Sequence, residues 1–160
     1  PPGAVVIRSD VIRKQICGVT PLTRLGPEGY TAEVSRQVYA AVMARANQVV
    51  RSGHAAIADA VFADASDRTA IEHVAHAAGV PFLGLWLETS VPEMMSRVER
   101  RSGDASDAGV EVILQQLAER SDSVCWHRLD ASGARQHVCD RARDVVANGS
   151  TAGHTLDRAG

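Results

Sequence analysis

Lysine is almost missing from this chain. Of its 17 basic side chains, Lys14 is the one lysine and the rest are arginine. Any chemistry that needs an ammonium group therefore has a single candidate. An excess of positive charge is missing too, since 17 cations stand against 19 carboxylates. That balance argues against nucleic acid as a main partner, although it leaves room for a local basic cluster. Cysteine is scarce and unpaired in pattern. Cys17, Cys125 and Cys139 are odd in number, widely spaced and free of any CxxC motif. They exclude a disulfide framework and suit free thiols in a reducing compartment, so a cytoplasmic chain is expected. The six histidines form no ligand set. His73 and His76 could share a helix face, but they lack a carboxylate or cysteine partner, so no zinc-type centre is expected. No apolar run approaches the length of a membrane span, and no secretory leader is expected. Internal repeats and dividing linkers are also missing, which leaves one domain of 160 residues, long enough for a sizeable core. Its 45% hydrophobic and 22% charged content is ordinary for a globular protein.

What is present is an alternation of strands and helices. Val5, Val6 and Ile7 form a short β-branched run that reads as a buried strand. Ser9, Asp10 and Arg13 follow it directly. A loop rich in breakers then runs through Cys17, Gly18, Pro21, Arg24, Gly26, Pro27 and Gly29. A loop that long is more often functional than structural. Thr31 is an N-cap with Glu33 in the first turn, and Val34, Val38, Ala41, Val42 and Val49 recur at helical spacing up to Gly53. The segment 55–62 predicts a second strand with Asp59 near its end. A helix from Ser66 buries Ile71, Val74, Ala75 and Ala78 and stops at Gly79. The run 82–88 is the most apolar in the chain and predicts a strand buried on both faces. Ser90 and Pro92 start a helix carrying Met94, Met95 and Val98, which leads into the charged segment 97–109. A further helix is expected with Val112, Ile113, Leu117 and Ala118 inward. A last strand is expected over 123–129. A closing helix capped by Ser132 places Val138, Ala142, Val145 and Val146 inward. The domain is expected to span 1–147, with a frayed tail over 148–160. Strands alternating with helices predict an α/β fold, a parallel sheet with right-handed crossovers and helices on both faces.

In such a fold the carboxyl ends of the strands share one edge, where ligands bind. Asp10 and Arg13 follow the first strand, Asp59 ends the second, and Arg97, Arg100 and Arg101 follow the third. An acid, an arginine and an arginine cluster suit phosphoryl transfer. One carboxylate takes the proton of the acceptor hydroxyl, another orders Mg²⁺, and guanidinium forks neutralise the transferring group. Each piece also has a plainer reading. Asp10 and Arg13 could be a helix-initiating acid and a solvated base, Asp59 a turn residue, and the arginines, with Asp104 and Asp107, a surface salt-bridge cluster.

The segment RSDVIRK, the loop through Pro21, Arg24, Gly26 and Tyr30, the strands AIADAVF and LGLWLE, the segment RVERRSGDASDA and the final WHRLDAS together resemble the P-loop kinases. The likeness is to the small-molecule and polynucleotide kinase type, in particular the predicted AAA-like ATPase/kinases of bacteria. It covers nearly the whole chain in order. The resemblance implies a three-layer α/β/α parallel sheet and ATP with Mg²⁺ as cofactors. It implies Asp10 as general base and Arg13 on the acceptor or its phosphate. Asp59 would help hold Mg²⁺ through water. Arg97 and Arg101 would belong to a lid that closes on ATP, and Arg24 would line the acceptor pocket.

One departure stands out. No GxxxxGK[ST] loop, the Walker A segment of such kinases, occurs in these 160 residues, and Lys14 lies outside any glycine-rich loop. The expectation is a longer parent kinase, of which this chain carries acceptor-site and lid residues and is inactive alone. The strand that precedes such a loop would be absent, leaving a gap between the Asp59 strand and the LGLWLE strand. A non-catalytic binding or dimerisation module is the alternative, because open strand edges favour a homodimer or aggregation. Fold likeness with some other small-ligand role is the third reading. The acidic balance leans the acceptor toward a small molecule, with nucleic acid disfavoured and no membrane expected.

Overall fold

The computed structural model describes residues 3–100, 103–107 and 124–152. Four strands and five α-helices are formed among them. They run β1 (Val5–Arg8), α1 (Ser9–Ile16), a 3₁₀ turn (Pro27–Tyr30), α2 (Ala32–Arg51), β2 (Ala56–Asp59), α3 (Ala65–Ala78), β3 (Leu85–Glu88), α4 (Val91–Glu99), β4 (His127–Asp130) and α5 (Arg135–Ala152). The fold is α/β with parallel strands. β1 pairs with β2, with Ile7 opposite Ala58 and Arg8 opposite Asp59. β3 pairs with β4, with Leu87 opposite Leu129. No ladder joins β2 to β3, so the described strands make two parallel pairs instead of one continuous sheet.

The caps are written in the sequence. Thr31 accepts from the Val34 amide at 3.2 Å and starts α2. Gly79 takes the left-handed conformation (φ +66°) that ends α3, a backbone that side chains with a Cβ rarely adopt. The cap of α3 is Asp64, two residues before the expected Ser66; its carboxylate accepts from the Ser66 amide at 2.8 Å. The core centres on α2. Val38 and Val42 are fully buried, with Ile7, Ile12, Ala46, Phe62 and Ile71 around them. No helix of the described residues is long and apolar enough to cross a membrane. The three cysteines are free thiols.

Several elements are shorter or more open than expected. β1 buries only Ile7; Val6 is exposed on the face opposite α2, and Val5 is exposed at the open start of the strand. β2 ends at Asp59, three residues before the expected Phe62. Phe62 is still buried, but in a loop with left-handed backbone (φ +49°). Its amide donates to the Tyr39 hydroxyl at 3.0 Å, and its carbonyl accepts from buried Arg68 at 2.8 Å. Phe62 is thus apolar and buried without being part of a strand. The run 82–88 is not buried on both faces. Its strand is Leu85–Glu88, paired among the described residues with β4 alone, and Leu87 stays 59% exposed. β4 lies later than expected. α5 leaves Val146 exposed and continues through residues 148–152, where a frayed tail was expected. The expected helix around Val112 to Ala118, and residues 153–160, lie outside the described residues.

Trp126 joins the β3–β4 half to the core. Its ring meets Phe62 edge-on at 5.2 Å and Phe82 at 5.7 Å, and its indole N–H donates to Glu72 at 2.5 Å. Gly84 is what lets it sit there. A Cβ on Gly84 would stand 2.3–2.5 Å from the indole atoms. Gly84→Ala is therefore expected to cost about 1–3 kcal/mol, as overpacking of a buried contact does. Urea unfolding checks this, and a midpoint equal to that of the parent chain would refute the close approach.

Candidate acceptor site at the end of the first strand

The site grows from the junction of β1 and α1. Helix α1 begins at Ser9, with no loop after the strand, so Asp10 lies in its first turn, where the helix dipole favours an acid. Arg8 is the last residue of β1 and faces Asp59 across the ladder, with Nε 3.3 Å from the Asp59 carboxylate. Its other nitrogen, Nη2, reaches Asp104 at 2.8 Å. The exposed Asp59 and the distant Asp104 are thus gathered by one guanidinium.

Burial pushes the Asp10 carboxyl above the usual carboxylate range. A hydrogen bond from Ser106 and the charge of Arg8 only partly offset it. One turn on, Arg13 is buried. It donates to the Gly29 carbonyl at 2.8 Å and to Ser35 Oγ at 3.3 Å, and it stacks over the Tyr30 ring at 4.8 Å. Lys14 is 1% exposed and bonds both the Thr23 carbonyl and Asp107. Asp107 also accepts from the Leu25 amide at 3.0 Å and from the Tyr30 hydroxyl at 2.8 Å. Burial pulls its carboxyl upward, but Lys14, Leu25 and Tyr30 together hold it below the ordinary range. Tyr30 is raised in turn, by burial first and by Asp107 second.

The structure thus brings Asp10, Arg13 and Asp59 to one sheet edge. Arg13 is occupied with fixing the Pro27–Tyr30 turn. Arg24 lies exposed on the same loop. Arg97 is elsewhere in its bonding: it pairs with Glu93 one turn back on α4 and donates to the Gly133 carbonyl at 2.9 Å. Arg101 lies outside the described residues. Among the described residues no cluster of three His, Cys, Asp or Glu side chains could cage a metal ion. Asp59 offers one exposed carboxylate, which fits a Mg²⁺ that keeps its waters and takes other ligands from phosphates.

Sequence reasoning missed Lys14, Tyr30, Ser106 and Asp107. Asp104 and Asp107 read as a surface cluster, yet Asp107 is only 11% exposed and anchors its segment to α1. The available signal was the sole lysine, placed four residues after Asp10 on the same helix face.

A family model described as an AAA domain matches residues 1–122. Uncharacterized proteins of Mycobacterium bovis and Mycobacterium tuberculosis are 29% identical over 154 residues, covering 89% of this chain. The chain spans 30% of the length of those relatives. In fold, it is similar to a gluconokinase from Sinorhizobium meliloti, with a TM-score of 0.61 at 17% identity over 96% of this chain and 81% of the other. It is also similar to a tunicamycin resistance protein of Deinococcus radiodurans, with a TM-score of 0.56 at 15% identity over 91% of this chain and 84% of the other.

Proposed function

The chain belongs to the AAA domain family, and from that premise we propose that it carries the acceptor half of a kinase. The reaction would be ATP-dependent phosphoryl transfer to a hydroxyl of a small molecule. The observation that carries this reading is Asp10, a part-buried carboxylate at the carboxyl end of a parallel strand, with its proton affinity raised by burial. A carboxyl so placed can take a hydroxyl proton as the oxygen attacks the γ-phosphoryl group. Arg13 orders the turn beside it, and Arg24 is exposed on the adjoining loop, available to an anionic acceptor. Asp59 would steady Mg²⁺ through water, and Mg²⁺ would neutralise charge on the phosphates. Arg97 and Arg101 would serve the nucleotide side. The cradle for the β- and γ-phosphates would come from a glycine-rich loop outside these 160 residues, since none of them supplies it. The gluconokinase among the neighbours in fold supports a small-molecule acceptor. A phosphorylated small molecule and ADP would be the products.

A second reading has its own observation. Val6 and Ile57, opposite each other on β1 and β2, are 56% and 51% exposed, and Leu87 on β3 is 59% exposed. Among the described residues, exposed apolar strand positions of this kind suit a binding or dimerisation module. Calorimetry with Mg-ATP on the 160-residue chain separates the halves of the site. None or very weak binding is expected. Micromolar binding would contradict the placement of the phosphate cradle outside these residues. Sedimentation of the same sample addresses dimerisation in the second reading, which a concentration-independent monomer would remove.

A further inference from the structure

The loop through Arg24 has little regular structure of its own. The Thr23 amide donates to the Thr20 carbonyl at 3.0 Å and the Gly29 amide to the Gly26 carbonyl at 3.1 Å, which are single turns. Side chains from other elements hold it in place. From α1, Arg13 donates to the Gly29 carbonyl at 2.8 Å and Lys14 to the Thr23 carbonyl. Asp107 reaches it from a segment 82 residues beyond Leu25. One oxygen of Asp107, Oδ2, accepts from the Lys14 ammonium, from the Leu25 amide at 3.0 Å and from the Tyr30 hydroxyl at 2.8 Å. The same segment is seated at its other end, where Asp104 accepts from Arg8 at 2.8 Å and Ala105 is 5% exposed. Residues 103–107 thus run from the end of β1 to the loop. The Asp107 side chain is 11% exposed, and an ionised acceptor makes hydrogen bonds roughly twice as strong as a neutral one, more so away from water.

We propose that Asp107 is the latch of this loop: its Oδ2 holds residues 23–30 against α1, so that Arg24 is presented at a fixed place only while residues 103–107 are seated. Asp107 is thereby a positioning residue. It acts through Leu25 and Tyr30 and not by touching an acceptor. Whatever lifts the segment off α1 also frees the loop, so the two ends of the chain's edge respond together. That the loop is a wall of an acceptor site rests on the kinase reading; the latch itself does not.

The test is amide hydrogen exchange of the 160-residue chain, followed residue by residue by NMR. Leu25 and Gly29 report on the loop, and Val42 and Ala46 on the core helix α2. Slow exchange at Leu25 is expected in the parent chain. Tyr30→Phe keeps the ring on which Arg13 stacks and removes only the hydroxyl. It should speed exchange at Leu25 and Gly29 about tenfold, the size of effect that a hydrogen bond to a charged group supports, and leave Val42 and Ala46 unchanged. Asp107→Ala should speed the loop amides further. Adding Tyr30→Phe to it should change them by less than about twofold, because the hydroxyl acts only through that carboxylate. Leu25 exchange unchanged by Tyr30→Phe, a matching acceleration in α2, or full additivity of the two variants overturns the latch. If Asp107→Ala fails to fold, Tyr30→Phe still decides. Because no nucleotide is involved, loss of the kinase reading would leave this result standing, and the absence of a latch would leave the role of Asp10 untouched.

Discussion

Asp10→Asn is expected to lower phosphoryl transfer by about a hundred- to ten-thousand-fold in a protein that joins these residues to a phosphate-cradling loop, which is the range a general base contributes. A carboxamide cannot accept the hydroxyl proton, yet it keeps nearly the same volume and can still accept a hydrogen bond from Ser106. The substitution therefore removes the chemistry with little change to the fold. Nucleotide affinity is expected to stay the same, because Asp10 stands on α1 among acceptor-side groups. The raised carboxyl matters here as well, since a base works best when its proton affinity lies near the operating pH. Initial rates and nucleotide binding, measured on the same preparation, check both halves. Loss of nucleotide binding would move Asp10 to the donor side.

Lys14→Met carries the largest expected cost in stability, about 3–5 kcal/mol, out of the roughly 5–15 kcal/mol that a domain has. Lys14 is 1% exposed, and its ammonium group is shared between the Thr23 carbonyl and Asp107. Methionine fills the volume but leaves the buried Asp107 carboxylate without a counter-charge. Lys14→Met combined with Asp107→Leu should recover most of the loss, because no charge is then stranded. The pH dependence has a definite sign. Asp107 is held below the ordinary carboxylate range in the fold, so its contribution is present above that range and is lost as pH falls through the lowered value. Lys14→Met should flatten this acid-side loss. Urea unfolding at two pH values checks the set, and a Lys14→Met chain within about 0.5 kcal/mol of the parent would contradict it.

Local signals were readable and long-range ones were not. Thr31, Gly53 and Gly79 mark helix ends through capping chemistry that needs only neighbours in sequence, and Val38 and Val42 declare the inward face of α2 by spacing alone. The alternation of strands and helices likewise gave the α/β class and the common edge that holds Asp10 and Asp59. Strand lengths were misread because apolar composition reports burial, not backbone state. Phe62 is buried in a left-handed loop, and Leu87 is apolar yet exposed. The pair Lys14 and Asp107 lies 93 residues apart, and no local pattern links its members. Arg13, which the resemblance set on the acceptor, is bonded to Gly29 and Ser35 and so also braces the loop through Pro27–Tyr30, a contact that no local pattern announces.

On the proposed reading, Asp10 stands where an acceptor hydroxyl would be deprotonated. The most direct measurement follows the γ-phosphoryl group itself. ATP labelled at the γ-phosphorus is incubated with Mg²⁺, small hydroxyl compounds and a protein joining these residues to a phosphate-cradling loop. The expected result is label in a small organic phosphate ester, formed only when an acceptor is present and suppressed by Asp10→Asn. Label released solely as inorganic phosphate, at a rate indifferent to acceptor and to Asp10, would contradict the account.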